Sequence, residues 1–165
     1  MRSLRTAGHC AGFTGWWYID CMLTKKAQYA FRALTVLARR QQWAGKEELP
    51  EWMSAREIAE ASPMSIKFLE QILVELRSGG VIKSRRGPHG GHALSQPSDQ
   101  IVMAKVLRMM DGPIAPLACV SLHYYERCED CAEDDCGLHR MMADVRDAQL
   151  AILEHRTLAD LTYPT

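Results

Sequence analysis

Apolar residues recur every third or fourth position over KKAQYAFRALTVLARRQQ (25–42), where Ala30, Ala33, Leu34, Leu37 and Ala38 share one helical face. Arg39 and Arg40 sit near its C-terminal end, where the helix dipole favours cations. A loop with Gly45 and Pro50 follows. Ser54-Ala-Arg-Glu57 is a capping box, in which hydroxyl and carboxylate satisfy each other's orphan backbone N–H groups. It opens a short helix with Ile58 and Ala61 facing inward, ended by Ser62-Pro63-Met64. Ser65 is a second N-cap. The helix behind it, IKFLEQILVELRSGG, carries Leu69, Ile72, Leu73 and Leu76 on one face and stops at Gly79-Gly80. Its other face presents Lys67, Glu70, Gln71, Val74 and Arg77. Two short helices joined by a tight turn, the second polar outside, form a helix-turn-helix pattern.

The period then changes. VIKS (81–84) and HALS (92–95) read as short strands around RRGPHGG (85–91), a basic, glycine-rich tip. Helix-turn-helix plus such a hairpin is a winged helix. IVMAKVLRMMDG (101–112) is a further helix, stopped by Gly112-Pro113. From Leu138 to Glu154, Leu138, Met141, Met142, Val145, Ala148 and Ile152 form a stripe that suits packing on a partner helix. TLADL (157–161) adds one turn. The expected fold is mainly α with a small β-hairpin, a winged helix-turn-helix followed by a long C-terminal dimerisation helix.

Composition adds a division of labour. The chain has 165 residues and a formal net charge of zero. Residues 22–100 carry +4, whereas residues 101–165 carry −5. A basic front and an acidic back suggest two jobs in one chain. With the winged-helix pattern in front and the long apolar stripe behind, the expected division is a DNA-binding domain over 22–100 and a cysteine-loop sensor and dimerisation region over 101–165. Residues 1–21 match no targeting pattern, and Met22 precedes the first clean helix. That stretch reads as a disordered extension or a mis-assigned start, with no role for Cys10 or Cys21. No apolar run approaches the length of a membrane span, so no membrane partner is expected and the location reads as cytoplasmic. Phosphate loops, dinucleotide-binding glycine patterns, nucleophile elbows and paired catalytic carboxylates are missing from the sequence, which argues against an enzyme.

A helix entering the major groove of double-stranded DNA needs polar side chains near its N-terminal end. Ser65, Lys67, Glu70 and Gln71 occupy that position, and Arg77 lies further along the same face. Arg85 and Arg86 at the wing tip are placed to meet phosphates or a narrow minor groove.

Four of six cysteines fall in one segment, Cys119-x8-Cys128-x2-Cys131-x4-Cys136, with His139 three residues beyond. Thiolates at loop spacing suit zinc or an iron–sulfur centre. Cys119, Cys128 and Cys136 are the core ligands, and Cys131 and His139 compete for a fourth place. Zinc, or a dithiol switch at Cys128 and Cys131, are the alternatives. Glu129, Asp130, Glu133, Asp134 and Asp135 would repel a net-negative thiolate centre, so they read as solvent-facing loop.

LTKKAQYAFRAL, then SIKFLEQILVELRSGGVIKSRRGPHGGHAL, then the cysteine cluster, resemble the Rrf-two family of bacterial winged-helix regulators. The resemblance covers residues 22 to about 161, and FLEQ followed by the RGPxGG wing is its most specific piece. It implies a homodimer joined through the long C-terminal helix. It also implies base contacts from Ser65, Lys67, Glu70 and Gln71 and minor-groove entry by Arg86. In its iron–sulfur members three cysteines and one further residue hold a 2Fe–2S cluster, and their closing Cys-x2-His element matches Cys136 and His139. In its nitric-oxide-sensing members a first-helix carboxylate completes the site, and here Gln28 stands in that position. The resemblance therefore implies a transcriptional regulator, a repressor, governed by a 2Fe–2S cluster or by redox state at the loop.

Overall fold

The computed structural model describes residues 23–43, 52–87, 89–129 and 131–162. The extension at 1–21, Met22 and the loop with Gly45 and Pro50 lie outside the described residues. Helix α1 (Lys25–Trp43) is the central element, and Ala27, Ala30, Ala33, Leu34, Leu37 and Ala38 are all buried. The small alanine side chains on this face allow close approach of the helices packed against it. Thr24 opens α1, its hydroxyl accepting from Ala27 N at 3.2 Å.

The capping box forms as expected. Glu57 N donates to Ser54 Oγ at 3.2 Å, and Ser54 N donates to the Glu57 carboxylate at 2.7 Å. It starts α2 (Ala55–Ala61), in which Ile58 and Ala59 are buried and Ala61 is exposed. The inward position expected at Ala61 belongs to Ala59, because so short a helix sets its buried edge by two adjacent residues around Ile58. Helix α3 (Ile66–Ser78) buries Leu69, Ile72, Leu73 and Leu76. Ser65 precedes it without a side-chain capping bond, contrary to the expected N-cap hydroxyl contact.

The end of α3 is a Schellman motif. Gly80 N donates to the Arg77 carbonyl and Val81 N to the Leu76 carbonyl, each at 3.0 Å, with Gly80 at φ 71°. Strands β1 (Ile82–Arg85) and β2 (Gly91–Leu94) pair antiparallel, with Ile82 opposite Leu94 and Arg85 opposite Gly91. Each is displaced one residue from the sequence expectation, because Val81 is used to close the helix. Ser95 Oγ donates to the carbonyls of Gly80 and Val81, binding the hairpin base to that turn. Met53 adds a third rung. It exchanges backbone hydrogen bonds with His92 at 3.0 and 2.7 Å.

Helix α4 (Met103–Asp111) buries Met103, Ala104, Val106, Leu107 and Met110, and the core runs continuously from α1 through α3 and α4 to Leu158. Asp111 at its end accepts from the backbone N–H of Thr24 at 3.0 Å and from the Thr24 hydroxyl, tying α4 to the start of α1. Helix α5 (Gly137–Leu153) is less committed, with Leu150 its one buried position. Arg108 of α4 meets Glu154, just past the end of α5, at 2.6 Å. Among the described residues, no helix is long and apolar enough to cross a membrane.

Candidate nucleic-acid interface and metal centre

Helix α3 and the wing present one exposed polar face. Ser65, Lys67, Glu70, Gln71, Val74 and Arg77 are all exposed, because the four apolar positions of α3 point into the core and leave these outward. His92 on β2 adjoins this face. Its ring is held by the Ser84 hydroxyl at 2.9 Å across the hairpin. Burial pushes its pKa down, the Arg77 charge adds to that, and Glu70 opposes it.

The two wing arginines differ. Arg85 is turned back: its guanidinium lies over the Trp52 ring at 5.1 Å from the centroid and donates to the His89 carbonyl at 2.6 Å. Arg86 is exposed and makes no hydrogen bond or ion pair among the described residues. Gly90 and Gly91 are needed for close approach. A Cβ at Gly91 would lie 2.5 Å from the Met53 carbonyl oxygen, and one at Gly90 would lie 2.2 Å from that of Arg85.

The cysteine segment folds onto the head of α5. Cys119 lies in a helical turn (Ala118–Val120) held to α5 by Arg146, which donates to the Val120 carbonyl at 2.6 Å. A second turn (Glu133–Asp135) leads into Cys136, the N-cap of α5. Cys136 Sγ accepts from the His139 backbone N–H at 3.4 Å. That bond, with a second from Cys131, pulls the Cys136 thiol down from its ordinary value. Cys131 is hydrogen-bonded to Cys128 and to Cys136, which pushes its thiol up to about 12. Burial raises the Cys119 thiol, with the Glu133 charge and Cys128 adding to it. All four cysteines are free thiols and half-buried.

Glu133 is turned inward. Its carboxylate accepts from Cys128 N at 3.1 Å and from the Tyr125 hydroxyl at 2.8 Å. The bond from Cys128 N, then that from Tyr125, holds it below the usual carboxylate range. The same bond raises Tyr125. Cys119 Sγ, a Glu133 oxygen and a His139 ring nitrogen all lie within 4.8 Å of one another. His139 Nδ1 is buried with no hydrogen-bond partner among the described residues. An imidazole nitrogen without a hydrogen-bond partner, in a group with the Cys119 thiol and the Glu133 carboxylate, is suited to bind a soft or borderline metal. The donor set therefore fits both an iron–sulfur centre and zinc.

Comparison with known proteins decides the family. The model of Rrf2, described as an iron-dependent transcriptional regulator, matches residues 23–164. The chain belongs to the Rrf2 family. It is 36% identical over 141 residues to an rrf2-like HTH-type transcriptional regulator of Rhodobacter capsulatus, covering 85% of this chain and 91% of that one. It is 32% identical to the HTH-type transcriptional regulator IscR of Sodalis glossinidius, over 84% of this chain and 77% of that one. Among solved structures it resembles CymR (YrzC), the global cysteine regulator of Bacillus subtilis. There the TM-score is 0.67 and the identity 27%, over 86% of this chain and 96% of that one. This Rrf2 chain is thus a winged-helix, DNA-binding transcriptional regulator, and its relatives are regulators rather than enzymes.

Of the residues expected at a metal centre, the Rrf2 loop brings Cys119 and a His139 ring nitrogen within 4.8 Å of each other, beside Glu133, and sets Cys136 Sγ on the His139 backbone N–H, while Cys128 and Cys131 lie outside that group. Gln28 is engaged locally, its amide donating to the Leu23 carbonyl at 2.9 Å. The expectation that fails is Glu133. It is not solvent-facing loop, although Glu129, Asp134 and Asp135 are exposed. Repulsion between a carboxylate and thiolates is a poor guide here, because Tyr125 and Cys128 N supply the hydrogen bonds that keep the carboxylate inward. The signal was the spacing Glu133-x2-Cys136-x2-His139. Steps of three through a tight helical turn into the first turn of α5 return to one side.

Proposed function

We propose that this Rrf2 regulator is a cytoplasmic, homodimeric repressor whose operator affinity is set by an iron–sulfur cluster, or by redox state, at the cysteine loop. The observation that carries this is Cys119 Sγ within 4.8 Å of a ring nitrogen of His139, whose Nδ1 is buried and without a partner among the described residues, in a loop that also holds the free thiols of Cys128, Cys131 and Cys136. Cys119, Cys128 and Cys136 would hold a 2Fe–2S cluster, with Cys131 or His139 in the fourth place. Such a group, when bound, supplies one-electron redox chemistry and sensitivity to oxidants.

The protein's own part is mechanical. Cys136 and His139 belong to α5, while Cys119 and Cys128 belong to the loop. Drawing these donors together fixes the loop on the helix, and releasing them frees it. In a dimer joined along α5, the spacing of the two α3 helices follows the order of that region. Residues 22–100 bind the duplex through Ser65, Lys67, Glu70, Gln71 and Arg77, with Arg86 at the wing and Arg85 beside it, and residues 101–165 bias that binding. A sensor of this kind needs only a difference in DNA affinity between its two states.

The test is a visible spectrum with iron, sulfide and zinc analysis on protein purified without oxygen, followed by operator titration of loaded and metal-free forms. Absorption with about two irons and two sulfides per chain, and different affinities for the two forms, supports the proposal. A colourless protein with one zinc per chain makes the loop a structural staple.

A further inference from the structure

The loop holds more donors than a four-ligand centre can use, and the surplus is organised. Cys128, Cys131 and Cys136 neighbour one another through Cys131, whose thiol the other two push up. Cys119, Glu133 and His139 form a different group, whose sulfur, oxygen and nitrogen atoms lie within 4.8 Å of one another. Donors at ordinary zinc distances around one tetrahedral ion stand about 3.5 Å apart. Small side-chain adjustments close this second group on one ion.

Glu133 has the features of a ligand prepared in advance. Each of its oxygens already accepts one hydrogen bond, from Cys128 N and from the Tyr125 hydroxyl. A carboxylate offers about four lone-pair positions, so both oxygens keep acceptor capacity. Ligating carboxylates are characteristically oriented by such outer hydrogen bonds. His139 Nδ1, buried and without a partner among the described residues, is the complementary half.

We infer that Cys119, Glu133 and His139 form a site for a single divalent transition-metal ion of the zinc, iron(II) or cobalt(II) class, with Glu133 as an oxygen ligand. One thiolate, one carboxylate and one imidazole make a mixed donor set of borderline softness, which suits these ions better than magnesium or calcium. Three protein ligands leave a fourth position for a water or for a neighbouring thiolate. Tyr125 is then a positioning residue, acting through Glu133. The inference rests on the reading of the loop as a metal centre and adds an oxygen donor to it; because Cys119 serves a cluster or a single ion but not both, the single-ion site is the form the loop takes without a 2Fe–2S cluster.

The experiment is anaerobic titration of the reduced, metal-free full chain with cobalt(II), followed by visible absorption and then by zinc competition. The wild type takes one cobalt(II) per chain in a four-coordinate spectrum with thiolate-to-metal charge transfer. Glu133→Gln weakens binding at least tenfold and changes the visible bands. Tyr125→Phe, which removes an outer hydrogen bond and leaves the ligand in place, weakens it less than Glu133→Gln does. Glu129→Gln, an exposed acid in the same loop, leaves the titration unchanged. Difference infrared spectra of the wild type, with and without zinc, show a carboxylate stretch that shifts on loading. This second measurement does not depend on a variant folding. Glu133→Gln binding cobalt(II) with wild-type affinity and spectrum, or an unmoved carboxylate stretch, overturns the inference while leaving the metal reading intact. A wild type that binds neither cobalt(II) nor zinc overturns both.

Discussion

Arg85 lies over the indole of Trp52, with its guanidinium carbon 5.1 Å from the ring centroid. The same side chain donates to the His89 carbonyl at 2.6 Å, so one arginine spans the wing from its root to its tip. A guanidinium stacked on tryptophan and bonded to a carbonyl is held against the protein. Arg86, next in sequence, is exposed with no such partner among the described residues. On the proposed reading of the wing the two adjacent arginines divide the work, Arg85 bracing the wing and Arg86 left free to meet the duplex.

That division predicts different salt dependences. Arg86→Ala weakens operator binding and lowers the slope of log affinity against log salt by about 0.9, the value of one phosphate contact. Arg85→Gln weakens binding a few-fold without changing the slope, because the wing loosens while no contact with DNA is lost. Trp52→Leu behaves like Arg85→Gln, and Trp52→Phe restores most of the affinity because a ring face remains. Fluorescence anisotropy over a salt series measures all four. A slope for Arg85→Gln that drops as far as that for Arg86→Ala would place both arginines on the DNA.

Two glycines, one in the turn that ends α3 and one in the wing, separate two kinds of constraint. Gly80 sits at φ 71° with open space where a Cβ would go, so Gly80→Ala costs backbone strain alone, about 1 kcal/mol. At Gly91 a Cβ would meet Met53 backbone atoms at 2.5 and 2.6 Å. Gly91→Ala must break the rung between Met53 and His92 or distort it, at a cost of about 3 kcal/mol. Urea unfolding of the two variants checks this. Equal losses would mean that the Met53 rung is dispensable.

The capping box gives a pH dependence with a definite sign. The Ser54 backbone N–H, with its hydroxyl, holds Glu57 below the ordinary carboxylate value. A carboxylate depressed in the folded state stabilises that state above the unfolded pKa, and the benefit disappears as pH falls through the folded pKa. Ser54→Ala should cost about 1 kcal/mol at neutral pH. Glu57→Gln should cost a few tenths, since the group is exposed and screened. The gap between wild type and Glu57→Gln should narrow in thermal melts as pH falls through the depressed folded pKa of Glu57, where the carboxylate takes up its proton. A gap independent of pH would mean that the carboxylate's charge contributes nothing.

Local rules account for what was legible in the sequence. The 3.6-residue period placed Leu69, Ile72, Leu73 and Leu76 inward and so exposed Lys67, Glu70 and Gln71 as one face. The box at Ser54 and Glu57 fixed the start of α2. What was not legible depends on partners distant in sequence. Met53 pairs with His92 and Trp52 stacks under Arg85, each across more than thirty residues, and no local pattern marks either contact. Glu133 was misread for a related reason. Charge counting assigns acids to solvent, and only the fold shows that Tyr125 and Cys128 N point at this one.

The apolar stripe of α5 carries the last prediction. Leu138, Met141, Val145, Ala148 and Ile152 alternate by three and four residues and are all exposed in the protomer, Val145 at 39% and Ile152 at 62%. The face of α5 turned to its own core is a different one, through Leu150. Spacing by three and four is that of a seam between two helices, and a second copy of α5 supplies a surface of the same chemistry. Val145→Glu would bury a charge without a partner at the middle of that seam, which costs several kcal/mol. It leaves the protomer core untouched, because Val145 is exposed there. The expected result by sedimentation is a dimer for the wild type, as the proposed α5 seam requires, and a monomer with unchanged helical content for the variant. Affinity for a full operator should then fall toward that for a single half-site, since the second half-site is no longer tethered. A variant that sediments as a dimer would move the seam away from this face of α5.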